Sequence, residues 1–480
     1  MKDLTTYARD SLLSMPVSYG DARFVSTLVE TIQVKNGVPR SVTSINSRGI
    51  GIRVIAGGCW GFAATADLTK RGVKKACRLA LEIAKAGRAA LVSPVRLAPV
   101  EAVVAQYVTP FDEDPFEVPL EVKLAILLEA DKNMAGEASV KVRQGYFQAF
   151  QRHTIFASTE GALVDQRIVQ TGGGISATAV GPGDSQFRGY PHSFRGNFQS
   201  TGFEFFRSLD LPANAARVAS EAAELLAAPA LGEGKRTVIL DGGQLALQIH
   251  ESVGHPTELD RVLGMEAAYA GTSFLTLDKL DNLQYGSPIV NVVADATAPR
   301  GLGSFAYDDE GVPAQRAELV RDGRFVGYQT SRETAVVIGR ASNGTMRADG
   351  WNRIPLIRMT NINLLPGAWK FEDLLADSDG AVFMATNRAW SIDNRRLNFQ
   401  FGTEIAYEVK GGKLGCIYKN PSYTGSTPEF WNSCDAICGQ NDWVMWGTPN
   451  CGKGQPGQTA RVGHGAAPAR FQNVRVGVVR

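Results

Sequence analysis

Cysteine and histidine are both scarce in this chain, with six and five copies among 480 residues. Six cysteines at irregular spacing are too few for a disulfide scaffold, so the expected compartment is the reducing cytoplasm. No run of ~20 apolar residues is present, which leaves no candidate for a membrane-spanning helix. Met1-Lys2-Asp3-Leu4 leads into a mixed polar segment and not into an apolar signal core. Charge of one sign is lacking too: 50 Lys and Arg stand against 48 Asp and Glu, for a formal net charge of +2. Without a basic block or an aromatic-interleaved basic run, nucleic-acid binding has no electrostatic footprint. No period of roughly 20–50 residues repeats. The remainder, 44% hydrophobic and 20% charged, is ordinary globular composition. Since single cores rarely grow past ~250–300 residues, two or more domains are expected.

The pattern divides near residue 230. Residues 21–35 alternate, with Phe24, Leu28, Ile32 and Val34 on one face, and read as a strand. Asn36-Gly37 is a turn signal, and residues 42–54 supply a second strand. Asp67 is a candidate N-cap for a helix whose stripe is Val73, Ala76, Cys77, Ala80 and Ala84; Cys77 therefore reads as core. Residues 103–109 read as a strand, 118–133 as a helix, 141–170 as a pair of long strands, and 212–228 as a helix ended by Pro229. Gly172-Gly173-Gly174 lacks the strand-loop-helix context of a phosphate loop and reads as a bulge or turn. Residues 229–235 form the linker candidate. Beyond it come a short strand at 236–240, a helix at 242–254 capped by Asp241, and then mostly strands and turns, with helices near 332–339 and 371–377 and a hairpin tip at 321–324. The expected class is α+β: an α+β domain over 1–230, then a β-rich domain over 231–480 carrying that helix.

Two of the five histidines lie in His250-Glu251-Ser252-Val253-Gly254-His255. Imidazole ligands beside a carboxylate that can take a proton from attacking water are the parts of a metal-dependent hydrolase. The usual zincin spacing places the two histidines four apart on one helical face. Here they are five apart, and five residues of an ideal α-helix turn about 500°, leaving the imidazoles about 140° apart. They can share an ion only if the helix ends or widens between them. Gly254 allows an αL end or a π-type turn, and Pro256 cannot continue the helix. Two ordinary histidines at a helix end remain the plain alternative.

A third ligand would decide between these readings. Cys434 and Cys438, four apart with no second pair, make a weak structural-zinc pattern. Cys451, in Pro449-Asn450-Cys451-Gly452-Lys453-Gly454, lies in a glycine-rich, exposed-looking loop whose lysine would favour the thiolate, or else is a loop cysteine with no role.

Taken together, His250-Glu-x-x-x-His255 and the downstream Cys451-Gly-Lys resemble the TldD/PmbA family of zinc peptidases. The likeness extends through Gly49-Ile50-Gly51-Ile52-Arg53-Val54 to Trp60-Gly61-Phe62-Ala63, and through Asp308-Asp309-Glu310-Gly311-Val312-Pro313 and Arg358-Met359-Thr360-Asn361. The resemblance implies Zn2+ held by His250, His255 and Cys451, Glu251 as general base, and a catalytic TldD-type member. It further implies a dimer, either of two copies or with a PmbA-type paralogue, whose metals face an enclosed chamber open to short or unfolded peptides. The stretch 432–446 matches no family block, and His464 stands where no histidine is expected; it reads as an idle surface residue, or as a substitute ligand or substrate contact.

Around this set, Glu258 and Asp260 either orient a ligand histidine or form an acid pair at a helix start. Asp308, Asp309 and Glu310 read as a solvated turn, one of which could line the site. Asn361 either bonds a peptide backbone or braces a buried turn. Two rival functions share much of this reading: a metal-dependent amidase acting on small amides, and a non-catalytic peptide-binding partner of a paralogue.

Overall fold

Long β-forming segments build the first layer of the computed structural model, which describes residues 1–192 and 195–478. Its strands are β1 (Tyr19–Lys35), β2 (Val38–Ala56), β3 (Cys59–Thr65), β4 (Val104–Val108), β5 (Val140–Ser158), β6 (Leu163–Gly181), β7 (Asp184–Tyr190) and β8 (Asn197–Gln199). They form one eight-stranded sheet in the order β3-β2-β1-β5-β6-β4, with β7 and β8 also on β6. Asn36 and Gly37 both take positive φ, the turn geometry that lets β1 and β2 pair as a tight hairpin. Helices α1 (Lys2–Leu13) and α2 (Lys70–Gly87) bury Leu12, Val73 and Cys77 with Ile50, Ile52 and Val54 of the sheet. At the other end α3 (Leu120–Met134) and α5 (Leu211–Ala227), with the short α4 (Phe203–Ser208) between them in sequence, bury Leu127, Val218 and Phe206 against Phe147.

Two local expectations are corrected here. Thr69, and not Asp67, caps α2, its side chain accepting from the Gly72 amide, while Asp67 accepts from the Thr69 amide. The glycine triplet 172–174 is neither a turn nor a bulge but the middle of β6. It is glycine because neighbours come close on both sides. A Cβ would lie 2.2 Å from the Asn197 carbonyl at Gly172 and 2.1 Å from the Tyr146 carbonyl at Gly173.

The second half is built on a seven-stranded sheet. Its order is Val382–Ile392, β9 (Gly234–Leu240), Ala469–Val478, Pro421–Ser426, Asn398–Lys410, Lys413–Lys419, with Cys434–Ile437 also on Ala469–Val478. The hairpin Val444–Lys453/Gln458–Ala466 packs against α6 (Gly242–Ile249). Its core gathers Leu240, Leu245, Ile249, Val253, Met359 and Trp431. The two halves are joined by the acidic turn 308–310, which is buried and not solvated as expected. Asp309 pairs with Arg23 at 3.1 Å and Arg152 at 3.0 Å, and Glu310 with Arg53 at 3.3 Å; all three arginines lie on the first sheet. Asp308 accepts from the backbone amides of Glu310, Val312 and Met346. Charges so buried need partners of this kind, which a sequence pattern does not reveal. The α+β class with a β-rich second half holds.

Candidate metal centre

Asp241 starts the motif helix by accepting from the Gln244 amide, as its sequence position suggests. After α6 the backbone widens into a π turn over His250–Gly254, in which the His255 amide donates to the His250 carbonyl, then tightens into a 3-10 turn over His255–Thr257. The wider turn brings residues five apart round to nearly one side, so the two imidazoles meet with ring centroids 4.9 Å apart. Gly254 keeps a negative φ of −59°, so its backbone is not left-handed. It is needed for space: a Cβ would lie 2.1 Å from Met359 Sδ.

Cys451 comes from the hairpin strand Val444–Lys453, opposite Ala460, just past a register shift that begins at Thr448. It is buried, 4% exposed, which corrects the expectation of an open loop. Its Sγ lies 3.7 Å from His255 Nε2, and the ligand atoms of His250, His255 and Cys451 all fall within 4.8 Å of one another. Among the described residues this is the group of His, Cys and acid side chains able to hold a metal ion. Tetrahedral zinc with Zn–N near 2.05 Å and Zn–S near 2.3 Å requires an N···S separation of about 3.6 Å, so the donors fit such an ion.

The other ring nitrogens are engaged. His255 Nδ1 meets Glu258 Oε2 at 2.9 Å, and His250 Nδ1 meets His464 Nε2 at 2.8 Å. His464 is fully buried, opposite Trp446 in the hairpin, so the idle-surface expectation fails. Asp260 touches neither histidine; its Oδ1 accepts from Lys453 Nζ at 2.7 Å. Lys453 also pairs with Glu258 at 3.1 Å and approaches Glu266 at 3.8 Å, and it too is buried, tying the hairpin to the segment after the motif. Asn361 does not line the site. It braces a turn, donating to the Asp295 carbonyl and Ser304 Oγ and accepting from the Gly303 amide. Cys434 and Cys438 are buried free thiols outside the cluster.

Burial pushes the pKa of His250 and His255 below the ordinary imidazole value, toward the neutral form that ligates, with Cys451 opposing the shift at His255. Burial alone would raise the Cys451 thiol, but His255 and Arg358 outweigh it and the thiol is lowered. Burial would likewise strip the Lys453 proton, yet Asp260, Glu258 and Glu266 hold the ammonium charged. Burial pushes Asp260 and Glu266 upward, because several carboxylates share few cations here.

Above the cluster opens a cavity of about 250 Å³ lined by His250, Glu251, His255, Cys451, Trp390 and Arg396, among others. Glu251 is ion-paired with Arg396, from the turn before strand Asn398–Lys410. Sequence reasoning missed Arg396, and it singled out His464 and Lys453 without giving either its observed partner. Lys453 carried a signal, two residues after Cys451, and its partners turned out to be carboxylates.

A two-imidazole, one-thiolate donor set beside a carboxylate suits metal-dependent hydrolysis. Three family models described as PmbA/TldA metallopeptidase match the chain: domain 1 over residues 20–84, the central domain over 113–228 and the C-terminal domain over 233–478. The chain belongs to this family, also written PmbA/TldD. It is 30% identical over 453 residues to a metalloprotease of Methanocaldococcus jannaschii, covering 94% of this chain and 95% of that one. With a metalloprotease TldD homolog of Haemophilus influenzae it shares 26% identity over 469 residues, 96% and 93% of the two chains. A zinc metalloprotease TldD homolog of Saccharolobus solfataricus is 24% identical over 245 residues, 51% of this chain and 52% of that one. Among solved structures, TldE of Thermococcus kodakarensis shares the fold with a TM-score of 0.71 at 15% identity over 99% of each chain. A Thermotoga maritima protein does so with 0.77 at 18% identity, again over 99% of each.

Proposed function

We propose that this chain hydrolyses peptide bonds with a zinc ion held by His250, His255 and Cys451 and with Glu251 as general base. The observation that carries the reading is the gathering of three buried ligand atoms within 4.8 Å at the floor of a cavity that Glu251 also lines. An ion bound there would supply Lewis acidity toward a carbonyl and make water a better nucleophile at neutral pH. Zinc is favoured by the donor set and by the name of the Saccharolobus solfataricus relative.

The chain's own groups do the rest. With Nε2 reserved for an ion, His250 carries its proton on Nδ1 and donates it to His464, while His255 donates to Glu258. These contacts fix both tautomers and ring orientations. Arg396 pairs with Glu251, and both side chains line the cavity. The carboxylate then accepts a proton from the attacking water and returns it to the leaving amine, which is a poor leaving group without it. Asp260 acts through Lys453 and not on a ligand. The working form is a dimer in a reducing cytoplasm, with a second copy or a paralogue of the TldE fold closing a chamber over the cavity. Short or unfolded peptides are then the substrates, held largely by their backbones.

Elemental analysis tests the ligand set. Native protein should carry about one zinc per chain, and Cys451→Ser should lose it. A Glu251→Gln variant should keep the zinc while peptide hydrolysis falls ~10²–10⁴-fold. Full turnover in that variant removes Glu251 from the mechanism.

A further inference from the structure

A second, larger cavity of about 540 Å³ adjoins the metal cavity, and His192 lines both. Its walls come from the β1–β2 hairpin, from β5, β6 and β7, from His192 and Arg195, and from strand Val382–Ile392. The charge of these walls is one-sided. Lys35, Arg40, Arg195 and Arg388 line the recess, and among the described residues no aspartate or glutamate does. The chain as a whole is nearly balanced at +2, so a run of four cations is not a by-product of a basic surface.

Arg388 donates to Gln186 at 3.0 Å and to Asn420 at 2.8 Å, and Arg195 lies over the Tyr146 ring, 5.0 Å from its centre. These are neutral partners. Glu404 feels Arg388 but is hydrogen-bonded to Arg188 and to the Gly189 amide. Lys35 is half-buried and the three arginines are exposed, but like charges gathered round one concave surface still add their potentials and draw in opposite charge. Gln144 and Ser176 on the same walls offer the amide and hydroxyl groups that an extended backbone needs. The volume lies within the roughly 300–1,000 Å³ typical of ligand sites.

We propose that this recess selects the substrate: it takes the carboxylate-bearing flank of an acidic peptide, whose scissile bond then reaches the neighbouring metal cavity. The inference rests on the peptidase reading of that cavity and adds a substrate class to it. An extended chain crossing past His192 would occupy both recesses, with glutamates or aspartates opposite the four cations.

The test is binding, not turnover. Zinc-loaded Glu251→Gln protein is titrated calorimetrically with a short glutamate-rich peptide and with its all-glutamine counterpart. The acidic peptide should bind about tenfold tighter at low salt, an advantage that shrinks as ionic strength rises. Adding Arg40→Gln and Arg388→Gln, both on exposed positions, should erase the preference while zinc content and affinity for the glutamine peptide stay unchanged. Equal binding of the two peptides overturns the proposal. So does displacement of the acidic peptide by inorganic polyphosphate at equal affinity, which would mark a non-selective anion patch. Incubation of the native protein with the same two peptides separates the readings: a preference in the variant with no cleavage by the native protein supports the recess and sinks only the hydrolytic reading, and cleavage of both peptides with no binding preference does the reverse.

Discussion

His464 shows how much a single buried contact can matter at a metal centre. Its imidazole is closed off from solvent and meets the only ring nitrogen of His250 that a metal would leave free. Such outer contacts typically govern affinity by ~10–100-fold, because a ligand that can rotate or change tautomer binds less often in the right form. His464→Ala should therefore weaken zinc binding by about that factor, read by competition with a chromogenic chelator, without removing a ligand. An unchanged affinity would reduce His464 to packing. The pair His250 and His255 with Glu251 was legible because rare residue types stood close together. The contact of His464 with His250 was not, for His464 sits among Val462, Gly463, Gly465 and Ala466, a stretch with no polar pattern. The hairpin register opposite Trp446 and the packing of α6 on that strand bring it against His250. Arg396 was equally silent, since its partner lies 145 residues away.

At the scale of elements, the five-residue histidine spacing and the π turn are one feature seen twice. The widened turn lets the two rings converge, and Gly254 lets that turn lie against Met359. Gly254→Ala should cost ~1–3 kcal/mol, because fully buried Met359 has no free space into which to retreat. Thermal unfolding should show a smaller loss for the same change in a Met359→Ala background, a coupling between neighbours. Equal losses in both backgrounds would place the strain elsewhere. The need for a break in regular helix geometry was readable from the spacing alone, and the long strands and helices followed from their periodicity. The glycine triplet in β6 and the acidic turn 308–310 were misread for a common reason. Small or charged residues signal loops locally, but here a neighbouring strand and three distant arginines account for them.

For the molecule as a whole, the junction between the halves carries a titrating group. Glu404, on strand Asn398–Lys410, is fully buried against Arg188 and the Gly189 amide of β7. Burial outweighs the pull of Arg188 and pushes its carboxyl from 4.5 up to about 7. The folded protein thus binds more protons than the unfolded chain between about pH 4.5 and 7. This contribution to stability is fully present below that window and declines as pH rises through it. The melting temperature of Glu404→Gln, followed against pH beside the native protein, should lack that decline; parallel profiles would place the proton elsewhere. The fold class was legible from the two regimes of periodicity. The sheet orders were not, since pairing between distant segments leaves no local mark.

One such pairing governs how the protein can be made. The segment Ala469–Val478 runs down the middle of the second sheet, flanked by β9 and by Pro421–Ser426, so β9 waits through more than two hundred intervening residues for its neighbour. A nascent chain on the ribosome can assemble the first sheet early, but the scaffold beneath His250 and His255 stays unfinished until that last partner emerges. Any ion held by that cluster would accordingly be captured only after the segment Ala469–Val478 has been made, long after the two histidines themselves.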